Sequence, residues 1–261
     1  MRRAAVLFAG FLAMAGCSDD DGWSSYDDNE IVFGITQKGT TTTAGYEYLS
    51  LAHRGGWSTD VMRAGTDGVC IHETLDRRIG KPNVGDGGRA RFSGGLLPPA
   101  GLVVNANEDD VKLDAAAFGP GKELVFGVDE GFALPPFGPI PLLSPRTAIT
   151  VTAPAASTDE LPVDTTKDLG FAWTVVDTPN DAPSRVMTSI DTDKEEVRCF
   201  FDEDATSGAM PASFLALLGA AGTKGTLSVA THRQVTVIAR GGWTIYVVAA
   251  ISQREQPIIL R

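Results

Sequence analysis

The chain alternates apolar and polar residues with a period of two over most of its length. Gly, Pro, Asn and Asp break the alternation roughly every 8 to 12 residues, the spacing of short strands joined by turns. Ile31, Phe33 and Ile35 share one face of such a segment, as do Leu124, Phe126 and Val128, then Ile149 and Val151. The clearest cases come later: Leu169, Phe171, Trp173 and Val175; Val197, Cys199 and Phe201; Leu227 and Val229; and Trp243, Ile245, Val247 and Ala249. Successive side chains of a strand point to opposite faces, so each set predicts one buried face. The fold class expected is all-β.

One segment departs from the period. Met210 to Gly219 places Pro211 near a helix start, good helix formers inside and glycine at the end. It predicts a short crossover helix between the Cys199 strand and the Leu227 strand, with Phe214, Leu217 and Leu218 facing a core.

Between Phe132 and Pro145 stand Pro135, Pro136, Pro139, Pro141 and Pro145. That many missing amide donors exclude a central strand or a helix. The stretch 132–146 is therefore expected to connect an N-terminal β domain, 31–131, to a C-terminal one, 147–261. Its apolar residues, Phe132, Leu134, Phe137, Ile140, Leu142 and Leu143, either pack on the domains or form a polyproline-like ligand for a partner's aromatic groove. Arg54-Gly55-Gly56-Trp57-Ser58 is echoed by Arg240-Gly241-Gly242-Trp243-Thr244. The echo fits a duplicated domain or a shared hairpin solution.

The amino terminus carries a different pattern. Arg2 and Arg3 precede an apolar run from Ala4 to Ala15, too short for the roughly 20 residues that span a bilayer as a helix. Met14-Ala15-Gly16-Cys17 resembles the lipobox of bacterial lipoproteins. The resemblance implies that residues 1–16 are a cleaved export signal and that Cys17 carries the acyl chains, with outer-membrane sorting favoured by Ser18. Each buried methylene contributes about 0.8 kcal/mol, so two or three chains hold a protein firmly to a membrane. Residues 17–30 are acidic and polar, a tether with too little apolar surface to fold.

The net charge of −11 becomes −13 once the two arginines of residues 1–16 are removed. That balance repels phosphate backbones, and no basic stripe appears, so nucleic acid is not an expected partner. Cys70 and Cys199 remain as an even pair in an oxidising compartment. They are either bridged or two buried reduced thiols in separate domains.

Catalytic patterns are weak. His72-Glu73-Thr74-Leu75-Asp76 has Asp76 where a zinc protease needs its second histidine, and the local alternation turns His72 and Glu73 to opposite faces of a strand. His53, His72 and His232 are the imidazoles available to a hydrolase, and no Gly-x-Ser-x-Gly elbow accompanies them. His232 is expected to be exposed. No nucleotide-binding loop occurs, and Gly87-Gly88 and Gly94-Gly95 read as turns flanking a strand. Calcium is the one ligand whose donors cluster, at Asp202-Glu203-Asp204 with Thr206-Ser207-Gly208, and at Asp191 and Asp193, in neither case in EF-hand order.

Several of these segments together have a family look. Ile149 to Pro154, Leu169 to Thr174, Val197 to Phe201 and Pro211 to Leu215 resemble the C-terminal half of uncharacterised lipoproteins common in myxobacteria. Cys70, the glycine-rich turn before Phe92-Ser93-Gly94-Gly95, and Phe118 to Phe126 fit more loosely. The C-terminal part also looks immunoglobulin-like or fibronectin-like, which implies a sandwich of about seven strands. No activity comes with the resemblance. The expectation is a lipid-anchored envelope protein of structural or binding role, whose partner is an envelope protein or a glycan. Two alternatives stand beside it: a hydrolase with a dispersed site around His53 or His72, and a calcium- or carbohydrate-dependent adhesion module with Trp23, Trp57 or Trp243 exposed.

Overall fold

A computed structural model describes residues 30–48, 69–74, 89–105, 110–130, 136–145, 149–175, 184–239 and 243–261. The first strands are β1 (Glu30–Lys38), β2 (Thr41–Tyr48), β3 (Val69–Thr74), β4 (Arg89–Gly94), β5 (Leu102–Asn105), β6 (Val111–Leu113), β7 (Glu123–Glu130) and β8 (Phe137–Leu143). They are followed by β9 (Ile149–Ala153), β10 (Leu161–Val163), β11 (Leu169–Val175), β12 (Arg185–Thr192), β13 (Glu195–Asp202), β14 (Ser207–Met210), β15 (Lys224–Ala239) and β16 (Trp243–Leu260). Among the described residues an α-helical turn, α1 (Ala212–Leu215), runs into a 3₁₀ turn at Ala216–Leu218, and another 3₁₀ turn spans Glu203–Ala205. The protein is all-β, as the alternation predicts.

The strands form one large sheet in the order β3-β13-β12-β15-β16-β1-β2-β6, with β10 pairing along β16. A three-stranded sheet, β14-β11-β9, and a four-stranded sheet, β5-β4-β7-β8, lie against it. The backbone of the assembly is the hairpin of β15 and β16, 16 and 18 residues long. At about 3.3 Å per residue β16 runs for about 60 Å, long enough to serve two cores in succession.

Each half of that hairpin packs on a different small sheet. Ile245, Val247, Ala249 and Ile251 join Ile31, Phe33, Ile35, Phe92, Leu124 and Phe126 in the first core. Leu227, Val229, Ile258 and Leu260 join Phe171, Trp173, Val186, Ile190, Val197 and Cys199 in the second. The inward residues of β16 are odd-numbered in the first core and even-numbered in the second. A bulge accounts for the switch, since Val229 pairs with Arg254 but Ala230 with Ser252, leaving one extra residue on β16. Without that residue the second half of the strand would present its polar face to the core.

Cores and sequence halves do not coincide. Strand β3, from within 31–131, pairs with β13 and packs against the second core, while the first half of β16 lines the first core. Sheet pairing, which is blind to chain order, assigns these strands.

The stretch expected to be a connector is instead partly a strand. Residues Phe137–Leu143 form β8, paired with β7 alone at the edge of its sheet, where Pro139 and Pro141 need not donate on both sides. Phe137, Ile140 and Leu142 pack into the first core, which favours the packing reading over an exposed polyproline ligand. Phe132 and Leu134 lie outside the described residues.

Two tethers complete the first core. The side-chain oxygen of Gln37 accepts from the backbone amides of Ala117 and Phe118, both at 2.9 Å, and the hydroxyl of Thr42 donates to Ala115 O at 2.7 Å. They fix an irregular, buried segment against β1 and β2. At the joint between the cores Arg254 donates to the carbonyls of Pro154 and Ala155 and to the side-chain oxygen of Gln256, holding the turn after β9 on the long strand.

The helix expected at 210–219 is present but shorter and tighter. Leu215 and Leu218 are buried, Phe214 packs against the second core, and Leu217 is exposed. A turn that tightens from α to 3₁₀ rotates later residues away from the i, i+3, i+4 stripe. It joins β14 to β15, because the short strand β14 intervenes after β13.

Candidate functional site

Cys70 and Cys199 are bridged. They are register partners in the antiparallel pair of β3 and β13, so the bridge lies within one sheet, and Cys199 is fully buried among second-core residues. Two positions along β3, His72 Nε2 meets Glu195 Oε2 at 2.8 Å, both side chains about a quarter exposed. His72 shares the core-side face with Cys70, since its register partner Val197 is a core residue. The pair therefore closes the rim of the second core beside the bridge.

His232 is on the opposite face of the same sheet. It is buried, not exposed as its sequence context suggests, and neither ring nitrogen has a hydrogen-bond partner among the described residues. Phe200 meets it edge-on at 5.6 Å between ring centroids. Burial, then the nearby Arg185 and Arg198 charges, push its pKa down to about 4. His72 and His232 thus occupy different faces, and His53 lies outside the described residues.

The acidic loop after β13 is used locally. Asp202 caps the 3₁₀ turn by accepting from Asp204 N at 3.0 Å, and Thr206 ends that turn in the left-handed region at φ 56°. Glu203 turns inward and is fully buried, and its backbone carbonyl accepts from Trp173 Nε1 at 2.7 Å. Asp204 and Asp193 face solvent. Among the described residues no three acidic, histidine or cysteine side chains converge as metal ligands.

The tryptophans divide. Trp173 is buried in the second core with Phe201 at 5.9 Å, and Trp243 is half-buried against the first. Trp23 and Trp57 are outside the described residues, as are Cys17 and the Arg54 echo.

A groove of about 490 Å³ opens on the outer side of the four-stranded sheet, lined among others by Arg91, Ser93, Gly127, Asp129, Pro136 and Pro139. A bulge between Phe126 and Val128 and the absence of a side chain at Gly127 create the depression. Arg91 donates to Ala100 O at 2.6 Å and lies 3.7 Å from an Asp129 carboxylate oxygen, while the Ser93 hydroxyl donates to Val125 O at 3.4 Å. Its lining holds one cation, one anion and a hydroxyl, with no imidazole or thiol. Such a surface can make polar contacts with a partner, but its residues do not form a nucleophile and base pair.

No family model matches the chain, and no curated protein matches it. Among solved structures, one match is a two-domain fibronectin type-III segment from chicken tenascin, 10% identical, covering 72% of this chain and 93% of that chain with a TM-score of 0.21. A likeness at that score carries no argument about role. The all-β assignment rests on the strands themselves.

Proposed function

We propose that this chain is a lipid-anchored protein of the bacterial cell envelope that serves as a structural or binding module. The bridge between Cys70 and Cys199 carries the reading, because a disulfide closing a 129-residue separation fits an exported protein in an oxidising space. It agrees with the leader and the acylatable Cys17. A long hairpin shared by two sandwiches gives a stiff body on an acidic tether, which suits holding loops and an outer groove away from a membrane.

Mass spectrometry of the protein from its native cell tests the anchor. A mature amino terminus at Cys17 bearing a diacylglyceryl thioether is expected, and Cys17→Ser is expected to move the protein from the membrane to the soluble fraction. A native start elsewhere, or an unmodified sulfur at Cys17, would overturn the proposal.

A further inference from the structure

Two irregularities in the four-stranded sheet meet on β7, and the outer groove lies where they meet. Against β4, Ala90 pairs with Val128 but Arg89 with Glu130, so Asp129 is an extra residue. Against β8, Phe126 pairs with Ile140 but Val128 with Phe137, so Gly138 and Pro139 stand opposite Gly127 alone. Bulges of this kind re-aim the side chains they carry. Asp129 and Arg91 face outward together, because their neighbours Val128, Ala90 and Phe92 belong to the first core. Gly127, the register partner of Arg91, adds no side chain to the floor.

We propose that this groove binds a neutral, polyhydroxylated ligand, a saccharide, with Arg91 and Asp129 as its paired donor and acceptor. The inference rests on the binding role proposed above and supplies its ligand class; it does not depend on the anchor. Arg91 is held through Nη1 on Ala100 O at 2.6 Å, and its Nη2 stands 3.7 Å from Asp129 Oδ2, beyond direct hydrogen-bond range. The two side chains are 39% and 45% exposed, and among the described residues the Asp129 carboxylate accepts no hydrogen bond. An N–H donor and a carboxylate acceptor are thus open to the groove side by side.

That pairing selects the class. A phosphate or carboxylate drawn to Arg91 is repelled by Asp129, and an ammonium drawn to Asp129 is repelled by Arg91. A hydroxyl accepts from the guanidinium and donates to the carboxylate at once, and both bonds are strengthened by the charge on the protein side. Ser93 adds a hydroxyl whose own bond to Val125 O is long, at 3.4 Å. The C–H face of a sugar ring needs an apolar wall, which the β8 side provides in exposed Pro136 and Pro139 and half-buried Phe137. The volume of about 490 Å³ is that of a small-molecule site. A zwitterion would also match both charges, and the test separates it from a sugar.

Titration of the full chain, followed by calorimetry and saturation-transfer NMR, tests the site. The probes are neutral oligosaccharides of glucose, galactose, mannose and N-acetylglucosamine, with glycine as the zwitterion and inorganic phosphate as the anion. Saturable binding of at least one neutral sugar is expected, and of neither glycine nor phosphate. Asp129→Asn and Arg91→Gln are each expected to weaken sugar binding at least about tenfold. Asp129→Asn keeps the shape of an exposed side chain, so it decides the matter if Arg91→Gln, which loses the bond to Ala100 O, does not fold. The proposal is overturned if no neutral sugar binds at millimolar concentration, if glycine or phosphate binds instead, or if folded Asp129→Asn binds sugar as tightly as the wild type. The mass of Cys17 reports on the anchor separately, so failure of one reading is distinguishable from failure of the other.

Discussion

Cys70 and Cys199 stand directly opposite each other across the β3–β13 ladder, so the bridge joins the edge strand of the large sheet to its neighbour rather than one sheet to the other. An immunoglobulin-type bridge would cross the core between sheets. Here the core between the sheets is filled by Trp173 and Phe201, and the bridge instead holds a strand whose sequence neighbours belong to the other half of the chain.

Removing that bridge is expected to cost stability through the unfolded chain. Closing a loop of 129 residues removes entropy equivalent to at most about 5 kcal/mol in the chain-entropy model. The double variant Cys70→Ala/Cys199→Ala should lose about 2–5 kcal/mol in urea unfolding. Reduction of the wild type should reproduce that loss. Equal midpoints for the bridged and unbridged proteins would rule the staple out.

Gln37 holds two buried amides with one oxygen, so its replacement leaves donors without partners. Gln37→Leu keeps most of the volume but leaves Ala117 N and Phe118 N unsatisfied. At about 1–3 kcal/mol for an orphaned buried group, a loss of about 2–4 kcal/mol is expected from thermal or denaturant unfolding. A loss below about 0.5 kcal/mol would mean that water replaces the side chain without penalty.

Trp173→Phe separates size from hydrogen bonding in the second core. It removes the donor to Glu203 O and leaves a void beside Phe201. The expected cost is about 2–3 kcal/mol, with further truncation to Ala costing about 3–5 kcal/mol. Chemical denaturation of the two variants checks the order, and equal losses would place the energy in the hydrogen bond alone.

Two glycines should respond in opposite ways. A Cβ on Gly34 would meet nothing within 4 Å, whereas Gly101 has φ +71° and a Cβ there would lie 2.3 Å from Phe92 O. Gly34→Ala is expected to be neutral or stabilising by up to about 1 kcal/mol, because it restricts the unfolded chain. Gly101→Ala should destabilise by more than that gain, since a backbone atom must move. Thermal midpoints of the two variants decide it.

The strands announced by Phe33, Phe126, Trp173, Cys199 and Val247 were legible because a half-buried strand writes its two faces into alternate residues. Weaker strands were harder to read: β2 opens on a run of threonines before Ala44 and Tyr46 reach the core, and in β6 the alternation of Val111 and Leu113 is only three residues long. The site residues divide the same way. The even pair of cysteines marked a bridge as one of two readings, but nothing local to His72 pointed to Glu195, and nothing local to His232 distinguished a buried ring from an exposed one.

Sequence alone thus set the all-β class, the position of the short helix, the exclusion of a central strand at Pro139 and Pro141, and the cysteines available for pairing, because these depend on local period, turn chemistry and backbone donors. Tertiary structure decided that β3 lies beside β13, that one hairpin serves two cores through a single bulge, and that His232 is enclosed between Phe200 and Arg185. Those outcomes depend on which strands become neighbours across long stretches of chain, and alternation within a strand says which face is buried without saying against what.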